Sequence, residues 1–109
     1  MAKNDLLLGT LDLLVLKSLA QLRQMHGYGI ANYVQRASDD LLRVEEGSLY
    51  PALHRLEQQG WITSEWKASD NNRRARYYSL TAAGRRQLQH EQESWERVVR
   101  GVTSVLKFA

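Results

Sequence analysis

E-E-G-S-L-Y-P-A-L-H-R-L-E-Q-Q-G, residues 45–60, is the stretch on which the reading of the whole chain turns. Leu49, Leu53 and Leu56 follow i, i+4, i+7 spacing, which puts them on one face of a helix of about three turns. The other face carries Ser48, Pro51, His54, Arg55 and Gln58. Pro51 lacks an N–H and crowds the preceding turn, so it is tolerated only near a helix start. That predicts an N-terminus around Gly47 or Ser48. Gly60 fits the position just past the end, where a left-handed backbone stops a helix with little strain. The polar face offers donors, acceptors and one fork-shaped cation, with no acidic residue at its centre. Such a helix can enter a DNA major groove, where Arg pairs with guanine and Gln with adenine edges. An ordinary amphipathic helix with a solvated polar face reads the same way. The segment that follows separates the two.

Trp61-Ile62-Thr63-Ser64-Glu65-Trp66 and Arg76-Tyr77-Tyr78-Ser79-Leu80 are rich in β-branched and aromatic residues, as strands are. Between them Lys67–Ala75, K-A-S-D-N-N-R-R-A, is a turn-forming basic tip. Ile62 and Trp66 share one face of the predicted hairpin, as do Tyr78 and Leu80. A basic hairpin directly after a candidate reading helix is the wing of a winged helix. Arg73, Arg74 and Arg76 then enter a minor groove or hold phosphates, with Lys67 nearby. A hairpin that serves only solubility is the alternative, and three Arg in four positions beside the helix favour DNA.

Charge placement agrees with this. The chain has a formal net charge of +3 over 109 residues. Residues 1–60 hold six Lys/Arg against seven Asp/Glu, residues 87–109 three of each, and residues 61–86 six against two. The basic excess therefore sits in one short segment. The length suits one domain with a modest core. No run of about 18 apolar residues occurs, so no membrane span is expected. The N-terminus lacks a small-residue cleavage site, so no signal peptide is expected either. Zero Cys excludes disulfides and Cys-based zinc sites, and suits a reducing cytoplasm.

Upstream, Asp5 is a candidate N-cap for a first helix running to about Met25. Leu8, Leu11, Val15, Leu19 and Leu22 form a stripe that Leu7, Leu14 and Leu16 widen nearly round the helix. A helix of this kind is buried on two sides, by its own domain and a partner subunit or as the core of a monomer. Gly9 and Ser18 are small enough to let another helix approach. His26-Gly27-Tyr28-Gly29 reads as a tight turn, with two glycines to supply positive φ. A second helix turns Ile30, Tyr33 and Val34 inward and ends near Ala37. Ser38-Asp39-Asp40 breaks it, and Leu41–Val44 reads as a short extended piece. Two helices on a short linker, the second with a polar outer face, make a helix-turn-helix.

Thr81 caps a last helix reaching to near Leu106. Leu88, Trp95, Val99, Val102 and Leu106 form a heptad-like seam along it, with Val98 and Val105 beside. A long terminal helix in a small domain cannot bury such a seam on itself. Two-fold dimerisation with the first helix taking part is the simplest solution; folding back on the first helix of the same chain is the alternative. A dimer would also address two half-sites about one DNA turn apart. The expected organisation is residues 1–80 as a winged-helix DNA-binding unit and residues 81–109 as a C-terminal dimerisation helix. The fold class is mainly α with a small β-hairpin.

No catalytic constellation can be assembled. The three His lie far apart with no metal-ligand spacing, no G-x-S-x-G occurs, and Gly27-x-Gly29 lacks the third glycine and preceding strand of a dinucleotide loop. His54 reads as a DNA-facing or solvated residue and His26 as a turn residue. Glu91, Glu93 and Glu96 read as a solvated face. No enzyme, cofactor or metal is expected.

H-G-Y-G-I (26–30), G-S-L-Y-P-A-L-H-R-L-E-Q-Q-G-W-I (47–62) and R-R-A-R-Y-Y-S-L-T-A-A-G (73–84) together resemble the PadR family of bacterial transcriptional regulators. The likeness covers nearly the whole chain, and the single long C-terminal helix resembles the short-helix subgroup. It implies a winged-helix homodimer that binds double-stranded operator DNA, usually as a repressor, through Ser48, Tyr50, His54 and Arg55 on the reading helix. Arg73, Arg74 and Arg76 are the matching wing positions. E-S-W-E-R-V (93–98) is similar to the segment where multidrug-sensing members stack flat aromatic ligands between paired tryptophans. That makes Trp95 either a stacking face for a small aromatic effector or plain dimer packing. Glu45-Glu46 departs from the Ser-Pro helix entry frequent in the family. Two carboxylates there suit the helix dipole but lie close to where phosphates would run. Assembly with an acidic protein partner, in place of specific DNA, is the alternative function for such a wing.

Overall fold

The computed structural model describes the backbone of residues 2–108 and the side chains of residues 9–108. Its order is α1 (Ala2–Leu22), β1 (Gln24–His26), α2 (Gly27–Ala37), α3 (Glu46–Gln58), β2 (Ile62–Ala68), β3 (Arg74–Leu80) and α4 (Ala82–Lys107). The three strands form one antiparallel sheet in the order β1-β3-β2. This is a winged helix-turn-helix with a long C-terminal helix, the fold class expected from the patterning.

One core organises it. Leu49, Leu53 and Leu56 of α3 are almost fully buried, with Ala52 between them. They meet Val15, Leu16 and Leu19 of α1, Ile30 of α2, Ile62 of β2, Tyr78 of β3 and Leu88 of α4. Each such leucine contributes about 1.5–3 kcal/mol of burial. Without that packing the helix would come away from the body that presents it.

The ends of α3 are set locally. Glu45 occupies the N-cap without a side-chain cap bond, and Glu46 lies in the first turn, where its charge favours the helix dipole. The helix thus starts one or two residues before the expected Gly47 or Ser48. Pro51 consequently sits in the second turn, where it cannot supply the N–H that would bond the Gly47 carbonyl. At the far end Gly60 adopts φ +79°. Its N–H bonds Glu57 O at 3.0 Å and that of Trp61 bonds Leu56 O at 3.1 Å, the paired closure of a Schellman motif.

Other boundaries differ from expectation. α1 starts at Ala2, so Asp5 lies inside it and not at the expected N-cap position. The Leu7 and Leu8 side chains of the expected stripe lie outside the described residues. α1 ends at Leu22, not Met25, because Arg23 turns to φ 71° and Gln24–His26 pairs with Tyr77–Ser79 as an edge strand. The glycines of H-G-Y-G therefore supply no positive φ. His26 is the N-cap of α2, its Nδ1 accepting the Gly29 N–H at 3.0 Å. Leu41–Val44 is irregular and forms no strand. The hairpin is longer than expected, reaching Ala68 and resuming at Arg74, because backbone pairing continues past the aromatic runs.

Thr81 caps α4 as expected: its Oγ1 accepts the Gly84 N–H at 3.0 Å and donates to Gly60 O at 2.7 Å. From there α4 runs along α1 and then extends beyond the body, and every side chain from Gln92 to Phe108 is exposed. Leu88, expected to begin the intersubunit seam, is instead buried in the core of its own chain. What remains uncovered begins at Trp95.

Candidate nucleic-acid interface

The core side of α3 is fixed by its leucines, so the opposite side must face outward. Ser48, Tyr50, His54 and Gln58 are all exposed. Across from them stands the hairpin, with Ile62, Ser64 and Trp66 of β2 in register with Leu80, Tyr78 and Arg76 of β3. A groove of about 760 Å³ lies between the hairpin, with Trp66, Arg73, Arg74 and Arg76, and the first turn of α2, and Tyr50 is the α3 residue that lines it. Tyr78 closes its floor; burial raises the Tyr78 hydroxyl above its usual 10.0 against the pull of Arg76, so the floor stays uncharged at neutral pH.

The predicted residues divide into two groups by what their side chains already hold. Arg73 and Arg74 are exposed at the wing tip, with the Arg74 guanidinium 5.8 Å from the centre of the Trp66 ring. That cation–π contact pre-orients a cation without neutralising it. The tip itself is drawn tight by Ser69, whose N–H and hydroxyl both reach Arg73 O. Lys67 points to the opposite face of the sheet. It donates to Gln24 Oε1 at 2.6 Å and lies 4.9 Å over the Tyr77 ring.

Arg55 and Arg76 are engaged within the protein. Arg55 Nη2 bonds Asp12 Oδ1 of α1 at 2.5 Å. Arg76 Nη2 lies 3.2 Å from Glu57 Oε1, and Arg76 Nε donates to Ser64 Oγ at 2.8 Å. The structure thus brings Tyr50, Arg73, Arg74 and Arg76 to one groove and leaves Ser48, His54 and Gln58 on the free face of α3. It turns Arg55 toward α1. Asp12, Glu57 and Ser64 are residues that sequence reading passed over; no local pattern marks them, because their partners lie 43, 19 and 12 positions away.

Asp12 carries a titration consequence. Its burial raises the carboxyl pKa above 3.8, aided by the nearby Glu91 charge and opposed by Arg55. A raised carboxyl pKa stabilises the fold while the group is protonated, and that contribution is lost as pH rises from about 3.8 through the folded value. The stability of the native chain relative to Asp12→Asn is therefore expected to fall as pH rises through this window in parallel thermal melts. A rise would mean that Arg55 outweighs burial.

A second, smaller cleft of about 180 Å³ lies between α1 and α4. It is lined by Gly9, Thr10, Leu13, Glu91, Ser94, Trp95 and Val98. Trp95 is 40% exposed at its edge, and Val98, Val99, Val102, Val105 and Leu106 continue an uncovered apolar strip along α4. Among the described residues no group of three or more His, Asp or Glu could hold a metal ion. No helix among them is long and apolar enough to cross a membrane.

A winged helix-turn-helix with a basic wing and a long terminal helix defines a class of regulator, and likeness to known proteins places the chain within it. Residues 15–90 match the model of the PadR-like transcriptional regulator family, and the chain belongs to that family. It is 37% identical over 79 residues to the transcriptional regulator Rv3488 of Mycobacterium tuberculosis, covering 72% of this chain and 70% of that protein. A transcriptional regulator from Clostridium thermocellum superposes with a TM-score of 0.84 at 28% identity, over 94% of this chain and 99% of its own. A PadR-like regulator from Bacillus cereus gives 0.76 at 29% identity, over 93% and 95%. The relatives and structural neighbours of known class are transcriptional regulators and not enzymes.

Proposed function

We propose that this PadR-family regulator binds operator DNA as a homodimer and represses transcription. α3 enters the major groove through Ser48, Tyr50, His54 and Gln58, and the wing holds the flanking backbone through Arg73 and Arg74. The observation that carries this reading is the groove shared by Tyr50 and the two wing arginines, whose cations no carboxylate neutralises among the ion pairs of the described residues. Phosphate contacts of this kind supply affinity and register, and the exposed polar side chains of α3 supply base readout. The uncovered strip of α4 is the dimer seam. The cleft beside Trp95 is the place for a small aromatic effector, whose binding would change the angle between subunits and so the spacing of the reading helices.

The test is fluorescence anisotropy with duplex DNA from upstream of the gene and a scrambled duplex, over a salt series. The wild type is expected to prefer the upstream duplex at physiological salt. Arg73→Ala/Arg74→Ala is expected to weaken both complexes and to flatten the log–log salt slope by about 0.9 for each phosphate no longer neutralised. An unchanged slope would falsify the assignment of these two residues. Equal binding of both duplexes, erased by salt, would point to an acidic protein partner.

A further inference from the structure

Arg76 has the sequence position of a DNA contact but the surroundings of a strut. Along β3 the side chains of Arg76, Tyr78 and Leu80 lie on one face, the face that carries buried Tyr78 toward the core. Arg76 therefore points back toward α3 and does not project from the tip. There it closes a three-membered polar ring. Ser64 Oγ donates to Glu57 Oε2 at 2.6 Å and accepts from Arg76 Nε at 2.8 Å. Arg76 Nη2 reaches both oxygens of Glu57, at 3.2 and 3.3 Å. Glu57 belongs to the last turn of α3, Ser64 to β2 and Arg76 to β3. The ring thus ties the reading helix to both strands of the wing.

Backbone continuity between the two DNA-facing elements is only the turn at residues 59–61. Ile62 and Tyr78 hold the base of the hairpin in the core, and further out the contacts of Ser64 and Arg76 with Glu57 tie it to α3. For Arg76 to reach a phosphate it would have to leave Ser64 and both Glu57 oxygens. The partly buried Glu57 carboxylate would then be left without its cation, at the cost of an unpaired charge.

We propose that Arg76 is a positioning residue: with Glu57 and Ser64 it sets the angle of the wing to the reading helix, and it does not itself hold DNA. Its consequence for DNA rests on the function proposed above; the brace itself does not.

The test uses the full chain and the charge-neutral double variant Glu57→Ala/Arg76→Ala, with Ser64→Ala as a milder second variant that keeps both charges. Amide hydrogen exchange of the free protein reads the brace directly. The wing strands of both variants are expected to exchange faster, by about tenfold in the double variant, with α1 and α2 unaffected. Anisotropy on the upstream duplex then reads the role in binding. Affinity is expected to fall about five- to tenfold in the double variant with no change in salt slope. Unchanged exchange in both variants overturns the brace whatever the DNA result. Faster exchange with a salt slope flattened by about 0.9 per chain overturns the separation of positioning from contact. If the wild type binds no duplex specifically, the DNA reading fails while the exchange result still decides the brace.

Discussion

Gly84→Ala is expected to destabilise the chain by about 3 kcal/mol or more, lowering the melting temperature by roughly 10–20 °C. Gly84 lies in the first turn of α4 and is buried. A Cβ built there would overlap the Trp61 carbonyl oxygen and stand 2.9 Å from Leu80 Cδ1. The first of these is backbone, and it is already held, since Trp61 O accepts the Thr81 N–H at 3.0 Å. No side-chain rotation relieves such an overlap; α4 must move away from the start of β2. That shift also pulls on the cap, because the Gly84 N–H is the one bonded by Thr81 Oγ1, and breaking a cap costs about 1 kcal/mol more. The same substitution at Gly47, where nothing lies within 4 Å of the added Cβ, is expected to be neutral or to stabilise by up to about 1 kcal/mol. Thermal melts of the two variants side by side decide the matter. Equal melting temperatures would show that the packing of α4 against Trp61 does not govern this fold.

The reading helix was legible because its determinants are local: leucine spacing and a stop glycine both act within a few residues. The capping threonine before α4 and the basic tip were legible for the same reason. Strand β1 was not. Three residues, Gln24–His26, carry no alternation long enough to detect, and they are extended only because Tyr77–Ser79 offers them a free edge. Long-range pairing likewise hid the state of the arginines. An exposed guanidinium on a polar face looks the same whether its partner is a phosphate or a carboxylate 43 positions away, as for Arg55 and Asp12. Leu88 shows the converse. It fits the heptad register of a seam, yet the body of its own chain reaches far enough along α4 to cover it. Periodicity identifies a face that must be buried and leaves open what buries it.

Val99→Asp/Val102→Asp is expected to convert the proposed dimer to a monomer, with the mass in light scattering falling to the 12.6 kDa of a single chain. Both valines sit on the part of α4 that extends beyond the body, and Val102 is 52% exposed in the single chain. Neither belongs to the core cluster, so the fold of the monomer should survive the change. In the dimer, by contrast, each chain would have to bring two carboxylates into the apolar seam. Removing valine burial costs about 1.5–3 kcal/mol per side chain, and desolvating the charges costs more still. Two-fold symmetry doubles both effects, because each substitution appears twice at the same interface. The consequence for DNA follows from effective concentration. A dimer that has placed one reading helix offers the second at about millimolar local concentration, so separating the subunits is expected to weaken operator binding about 10²–10⁴-fold. Each separated chain keeps Arg73 and Arg74, so weak salt-sensitive binding should persist, with a slope about half that of the dimer. That residual binding distinguishes loss of pairing from loss of folding. A variant that is monomeric yet binds the upstream duplex as tightly as the wild type would sink the dimeric mechanism and leave the single winged helix as the binding unit.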